Sequence, residues 1–360
     1  MTIRESDTIL VTGGAGFIGC NLAHRLAAKG ARVRVLDSLA RPGVERNLEW
    51  LAQQHGDRIE PVIAEVQEAR RVDAAVRGVS AAYHLAAQVA VTTSMDDPRE
   101  DLQVNILGTF NVLEAVRRLR PQAPLIFAST NKVYGDLGDV GMQRSRSGYV
   151  PLAPELARHG VSEQRSLDFH TPYGCSKGAA DQYVLDYARS YGLRTAVLRM
   201  SCIYGERQLG TEDQGWVAHF LIRALAGEPI TLFGDGEQVR DIAHVGDTCA
   251  AYIALLERID QVSGRAFNWG GGPANAVSLL TVIDEIGAIT GRPPRIEFAD
   301  WRPGDQRWFV ADTRRADAAL GLGPRKSWRS GLRDLAAWLE CERQRRRPAA
   351  RAEPQPTVAL

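Results

Sequence analysis

Through the first 200 residues, short runs of apolar and β-branched residues alternate with longer stretches whose apolar positions recur every three or four residues. The short runs at 8–12, 32–36, 58–63, 81–85, 125–129 and 195–199 predict strands, and the stretches at 17–29, 100–119 and 174–191 predict helices. Strand–helix–strand repetition returns each strand to one sheet in parallel. The pattern therefore predicts an α/β fold, a doubly wound parallel sheet (the Rossmann arrangement) with helices on both faces. After Arg199 the regularity weakens. Glycine-rich and polar stretches at 205–215, 234–236, 270–273 and 302–305 separate shorter elements. They predict a smaller, loop-rich C-terminal substrate lobe beside the strand ends, where ligand-binding groups are commonly carried.

Composition removes several classes of function. Lys and Arg number 44 against 43 Asp and Glu, a formal net charge of +1 over 360 residues. Such a balance points to neither nucleic acid nor an anionic membrane as partner. No apolar run approaches the roughly 18 residues of a membrane-spanning helix. The opening stretch, Met1 to Asp7, is too charged for a signal peptide. Cys20, Cys175, Cys202, Cys249 and Cys341 are widely spaced without a Cys-x-x-Cys pair. That pattern predicts free thiols in a cytoplasmic protein, with no disulfide framework and no metal site.

The first chemical signal lies where the first strand meets the first helix. Gly13, Gly16 and Gly19 in Gly13-Gly14-Ala15-Gly16-Phe17-Ile18-Gly19 follow G-x-x-G-x-x-G, a dinucleotide-binding pattern. Gly13 suits a tight turn, Gly16 admits a pyrophosphate near the backbone, and Gly19 lets the helix approach the sheet. The helix start then offers free N–H groups and partial positive charge to phosphates. Asp37 ends the second strand, 18 residues after Gly19. A carboxylate there accepts from the adenosine ribose diol and repels a 2′-phosphate, which favours NAD, while nearby Arg41 keeps NADP open.

Tyr173 and Lys177 are four residues apart at the start of a predicted helix and share one face. An ammonium beside a phenol favours the phenolate, as does a positively charged nicotinamide ring. Tyr173 is thus expected to act as a base near neutral pH, despite an ordinary pKa of about 10. Thr130 ends the apolar run Leu125-Ile126-Phe127-Ala128-Ser129, at the carboxyl edge where doubly wound sheets bind ligands. Its hydroxyl is placed to bond a substrate oxygen that becomes a carbonyl.

The glycine turn, His84-Leu85-Ala86-Ala87, Asn105-x-x-Gly108-Thr109-x-Asn111, Val133-Tyr134-Gly135 and Tyr173-x-x-x-Lys177 together resemble the extended short-chain dehydrogenases/reductases, to about residue 340. Within that superfamily, the segments 129–136, 170–183 and 213–217 resemble the CDP-paratose 2-epimerases (CDP-tyvelose epimerases). The resemblance implies that Tyr173 is the base, Lys177 its activator and Thr130 the hydroxyl partner. It places Gly13, Gly16, Phe17, Ile18, Gly19, Asp37, Val66, Leu85, Ala86, Ala87, Tyr173 and Lys177 on NAD. Glu65 stands where relatives usually carry an Asp near the adenine. Asn105 is either functional or a polar residue that fixes a loop or helix kink. Ser201 stands where many relatives carry an Asn.

The implied division is an NAD-binding Rossmann domain over 1–200, completed by parts of 240–275, and a nucleotide-sugar-binding lobe over 201–239 and 276–341. A disordered tail is expected over 342–360. The substrate is a nucleotide-diphosphate sugar, and Arg240 and Arg302, each on a glycine-bordered loop, are expected on its diphosphate, with Arg207 as a third candidate. The alternative for each is a solvated arginine paired with a neighbouring acidic residue. Asn131 is also placed at the substrate. The implied reaction inverts C2 of a CDP-hexose through transient oxidation to a keto sugar and re-reduction. A UDP-sugar 4-epimerase uses the same trio. A 4,6-dehydratase carries Asp-Glu directly after the threonine, where this chain has Asn131-Lys132. A non-catalytic nucleotide-binding protein is the remaining alternative. Relatives pair as homodimers through the helices corresponding to 100–119 and 174–191.

Overall fold

The computed structural model describes residues 1–346. Its first half runs β1 (Thr8–Thr12), α1 (Phe17–Ala28), β2 (Arg32–Asp37), α2 (Val44–His55), β3 (Ile59–Ile63), α3 (Ala69–Val76), β4 (Ala81–His84), α4 (Val91–Asp96), α5 (Pro98–Leu102), α6 (Gly108–Leu119), β5 (Leu125–Thr130), β6 (Met142–Ser145), β7 (Gly148–Pro151), α7 (Pro154–His159) and α8 (Thr171–Tyr191). The second half runs β8 (Thr195–Met200), β9 (Cys202–Tyr204), α9 (Trp216–Ala226), β10 (Ile230–Phe233), β11 (Val239–His244), α10 (Val245–Glu257), α11 (Ile259–Val262), β12 (Arg265–Trp269), β13 (Ala276–Ser278), α12 (Leu279–Thr290), β14 (Ile296–Ala299), β15 (Trp308–Phe309), α13 (Arg314–Leu320) and α14 (Trp328–Arg346).

Seven parallel strands form the main sheet in the order β12-β8-β5-β4-β1-β2-β3. The order reverses direction between β1 and β4, which opens a crevice at the carboxyl ends of those strands. Buried side chains explain the two helical layers. Leu22 and Leu26 of α1, Leu51 of α2, and Tyr252 and Leu256 of α10 pack on one face of the sheet. Val72 and Val76 of α3, Val112 and Val116 of α6, and Val184 and Tyr187 of α8 cover the other. The expected doubly wound sheet is what the chain forms. Strand β12 joins it at the edge beside β8, within the 240–275 stretch expected to complete it.

The rest builds a further apolar cluster from α9, α12 and α14, with Val217, Leu221, Val282, Ile286, Leu332 and Leu335 buried in it. Small sheets frame it: β10 with β14, and β11 with β9, β13 and β15.

Two expectations change. The helix predicted over 100–119 is interrupted: a π-turn at Gln103–Leu107 separates α5 from α6. Asn105, buried in that turn, donates from Nδ2 to Asp101 Oδ1 at 3.1 Å, Ser176 Oγ at 3.0 Å and Gln88 O at 3.1 Å. Such wide turns appear inside helices where a side chain must be re-aimed. The disordered tail does not begin at Glu342, because α14 continues to Arg346. Arg345 pairs with Glu342 one turn back, and Arg343 donates to Leu225 O at 2.7 Å. The remainder of the predicted tail, 347–360, lies outside the described residues.

Candidate active site

The glycine turn is held by sterics that a side chain would break. Gly13 has φ +67°, and a Cβ there would lie 2.7 Å from Ala86 N. At Gly19 a Cβ would lie 2.1 Å from Gly13 O. Gly16 is the N-cap of α1 with extended backbone, and no side chain caps the helix or places an acid in its first turn. The leading N–H groups, including those of Phe17 and Ile18, are thus free for an anion's oxygens. Asp37 closes the turn from the other side: Oδ2 accepts from Ala15 N at 2.9 Å and Oδ1 from Leu39 N at 2.9 Å. Leu85, Ala86 and Ala87 follow β4 against the same turn, with Ala86 N donating to Thr12 Oγ1 at 3.2 Å. Val66 is buried behind Gly108, and Glu65 beside it is exposed. These features fit a dinucleotide: an open cradle, an uncapped helix start and a carboxylate at the strand end.

Arg41, the residue that kept NADP open, is engaged elsewhere. Its guanidinium meets Asp213 Oδ2 at 3.3 Å and also donates to Gln214.

Thr130, Tyr173 and Lys177 converge. Thr130 ends β5, and all three side chains are buried. The Thr130 side chain lies close enough to the Tyr173 phenol to act on it, while its hydroxyl donates to Asn131 Oδ1 at 3.3 Å. The Lys177 ammonium lies over the Phe127 ring, 4.2 Å from its centroid. The electrostatics nevertheless depart from those expected. Burial pushes Tyr173 up to about 12, against the pull of Thr130, and Lys177 is not among the groups acting on the phenol. Burial also brings Lys177 down to about 7, against the attraction of Asp181 and Asp101. With this desolvation, the protein alone keeps Tyr173 a phenol at neutral pH.

Several polar residues support the site through contacts that only the folded chain brings together. His84 is fully buried and receives no proton there: burial lowers its pKa to about 3, and its two ring nitrogens meet Thr12 Oγ1 at 2.7 Å and Thr109 Oγ1 at 3.0 Å. Asp101, fixed by Asn105, has its Oδ2 buried without a hydrogen-bond partner among the described residues, and burial raises its pKa. Tyr173 N donates to Ser94 Oγ of α4 at 3.2 Å, which ties the first turn of α8 to α4, and Ser176 Oγ donates back to Tyr173 O at 3.2 Å within the same helix.

The loop 302–306 closes over the segment that follows Thr130. Asn131 Nδ2 donates to Gln306 Oε1 at 2.9 Å, and Gln306 Nε2 donates to Gly135 O at 2.6 Å. Arg240 is buried and donates to Asp305 Oδ1 at 2.7 Å. Arg302 stacks on Phe233, 3.7 Å from the ring centroid, and bonds Glu212 O at 3.0 Å. Asn131, Arg240 and Arg302 are therefore gathered by one loop. Arg207 is not among them. Its guanidinium stacks on Trp50 of α2 at 3.9 Å and faces Trp338 of α14 at 5.6 Å, a cation–π sandwich that removes it from the substrate loops. Ser201 donates to Asp241, at the backbone oxygen and at the carboxylate.

Among the described residues no helix is long and apolar enough to cross a membrane, and no cluster of His, Cys, Asp or Glu is arranged to hold a metal. All five cysteines are free.

A glycine turn in a parallel sheet, a strand-end threonine and a Tyr-x-x-x-Lys helix define a site of the short-chain dehydrogenase/reductase class. The chain belongs to the NAD dependent epimerase/dehydratase family, which it matches over residues 9–270. It is 39% identical to the CDP-paratose 2-epimerase of Salmonella typhi over 337 residues, which cover 92% of this chain and 98% of that one. The UDP-glucose 4-epimerase of Thermus thermophilus, solved with NAD, shares the fold with a TM-score of 0.77 and 31% identity, covering 92% of this chain and 99% of that one. The UDP-glucuronic acid 4-epimerase of Bacillus cereus, solved with UDP-glucuronic acid and NAD, has a TM-score of 0.79 and 26% identity, covering 93% and 99%.

Proposed function

We propose that this chain is an NAD-dependent nucleotide-sugar epimerase that inverts C2 of a CDP-linked hexose of the paratose and tyvelose type. The observation that carries the reading is the convergence of Thr130, at the end of β5, with the Tyr173 phenol and with Lys177 one turn along α8, all three side chains buried. The 39% identity to a CDP-paratose 2-epimerase supports C2 and the cytidine nucleotide.

Gly13, Gly16, Phe17, Ile18, Gly19 and Asp37 hold NAD, with Leu85, Ala86, Ala87 and Val66 lining its path. Glu65 is a weaker contact, being exposed. Bound NAD supplies a hydride acceptor and, through its positive ring, the charge that favours a phenolate. Tyr173 takes the proton of the sugar hydroxyl and later returns it. Thr130 donates a hydrogen bond to the oxygen as it becomes a carbonyl. In the NAD-bound enzyme Lys177, one turn along α8, adds its charge to that of the nicotinamide ring in favouring the phenolate. Asn131, Arg240 and Arg302 orient the nucleotide sugar, since arginine forks match phosphate oxygens. The keto sugar turns over about its diphosphate linkage before re-reduction, which inverts the carbon.

Helices α5, α6 and α8 expose Leu102, Phe110, Tyr183 and Tyr191, and the π-turn exposes Leu107. This apolar face supports pairing as a homodimer. The free thiols fit residence in the cytoplasm.

Incubation of the enzyme with CDP- and UDP-hexoses in deuterated water tests the reading. Proton couplings should report inversion at C2 with the original C–H retained. Inversion at C4 alone would instead mark a UDP-sugar 4-epimerase, which the same trio serves. Binding of NAD without any interconversion would end the catalytic reading.

A further inference from the structure

We propose that Lys132 is a specificity-determining residue: it holds the sugar-linked phosphate beside the reacting carbon and so presents C2, not C4, to Tyr173. The inference rests on the C2 reading above. C2 is bonded directly to the anomeric carbon that carries the diphosphate, whereas C4 stands across the ring from it. When C2 reaches Thr130 and Tyr173, the phosphate comes in beside them. A C2 enzyme therefore needs positive charge close to its catalytic threonine, where a C4 enzyme does not.

This chain has that charge in that place. Lys132 follows Thr130 by two residues, and its N–H donates to Thr130 Oγ1 at 3.2 Å. Its ammonium donates to Gly304 O at 3.0 Å. Gly304 in turn packs on Thr171, where a Cβ would meet Thr171 Cγ2 at 2.9 Å, two residues before Tyr173. Lys132 is thus tied to the segment that carries Tyr173, by its ammonium through Gly304 and by its carbonyl, which a Cβ at Gly174 would approach to 3.3 Å.

Its charge is also incompletely matched. The nearest carboxylate, Asp305, is 3.9 Å away and already accepts from Arg240 at 2.7 Å and from Gln306 N at 3.0 Å. Among the described residues Asp305 is the one carboxylate within 4 Å of either Lys132 or Arg240, and Asp136 attracts Lys132 only from farther away, so the ammonium keeps capacity for an anion. The ammonium has three donors and spends one on Gly304 O. Burial lowers its pKa, so an incoming phosphate would relieve a desolvated cation. Arg302 stacks on Phe233 with Glu212 as its partner, a different set of neighbours.

Calorimetric titration of the NAD-loaded enzyme with CMP and CDP, and with UMP and UDP in parallel, separates the contact from general nucleotide binding. Lys132→Met should weaken the diphosphate about tenfold while leaving the monophosphate unchanged, as expected for one hydrogen bond to a charged group. Lys132→Arg should recover part of the loss. Unchanged monophosphate affinity shows that the variant is folded. An equal ratio of diphosphate to monophosphate affinity in wild type and Lys132→Met, or a proportional loss of both, overturns the role of Lys132 while C2 inversion by the wild type stands. Inversion at C4 by the wild type overturns the functional reading and this inference together.

Discussion

Arg199 and Asp181 meet as a buried, two-point ion pair, with Nε donating to Oδ2 at 2.9 Å and Nη2 to Oδ1 at 2.8 Å. The pair fastens α8, the helix carrying Tyr173 and Lys177, to β8 in the sheet. Ser129 also donates to Asp181 at 2.7 Å, and Arg199 to the Tyr134 hydroxyl at 3.0 Å. Asp181→Ala would leave a guanidinium buried without its carboxylate, which costs about 3–5 kcal/mol. Urea denaturation should show that loss, and the double variant Asp181→Leu, Arg199→Met should recover much of it. A loss within about 0.5 kcal/mol, the range of surface substitutions, would show that the pair does not hold α8.

Acid should destabilise the fold through His84. Its folded pKa is about 3 against 6.5 for the free side chain, so between those values the unfolded chain binds a proton that the folded one does not. Stability from this group is complete above pH 6.5 and is lost as pH falls toward 3. The drop in unfolding free energy between neutral and mildly acid buffer should be smaller in His84→Gln than in wild type. An equal drop would place the acid sensitivity elsewhere.

Gly19→Ala is a methyl group in a helix, where alanine is ordinarily favoured. Here the methyl would sit 2.1 Å from Gly13 O, so the turn must open. NAD titration by fluorescence should show a loss of affinity of about tenfold or more, equivalent to one lost hydrogen bond to a charged group. Wild-type affinity would mean that the turn adapts without harm.

Cofactor choice should resist a single exchange at Asp37. Asp37→Ala removes the repulsion of a 2′-phosphate, but Arg41 remains paired with Asp213 and Gln214. NAD binding should weaken roughly tenfold with little gain for NADP, and adding Asp213→Ala should then improve NADP. A strong NADP gain in the single variant would show that Arg41 is free to turn.

Tyr173→Phe keeps the ring and removes the proton carrier. Turnover should fall by about 10² to 10⁴, the range of general acid–base catalysis, with NAD affinity retained. Near-wild-type turnover would assign the proton to another group.

The local features of this site are legible in the chain. β1, the glycine turn and α1 are neighbours in sequence, and their periodicity and spacing are enough to read them. Strand β12 is not, because only pairing with β8, 69 residues earlier in register, makes Arg265–Trp269 an edge strand. The behaviour of Lys177 is hidden for a related reason. Spacing puts it beside Tyr173, but its proton affinity follows from how much water the finished fold removes. Arg207 shows the same limit, since its glycine-rich neighbourhood looks like a phosphate loop until Trp50 and Trp338 arrive from distant helices.

The π-turn at Gln103–Leu107 has a consequence for how this helix tolerates change in length. Within it Asn105 reaches Ser176, and downstream Gly108 admits Val66 while Asn111 bonds Val66 O. Each residue of a regular helix advances the side chains by about 100°. Adding a residue to a regular helix would swing everything after it by that angle, whereas the wide turn takes up an extra residue locally, so excising one there would restore regular winding with α6 close to its present phase. What would be lost is the bulge itself, and with it the reach of Asn105 to Asp101 and Ser176.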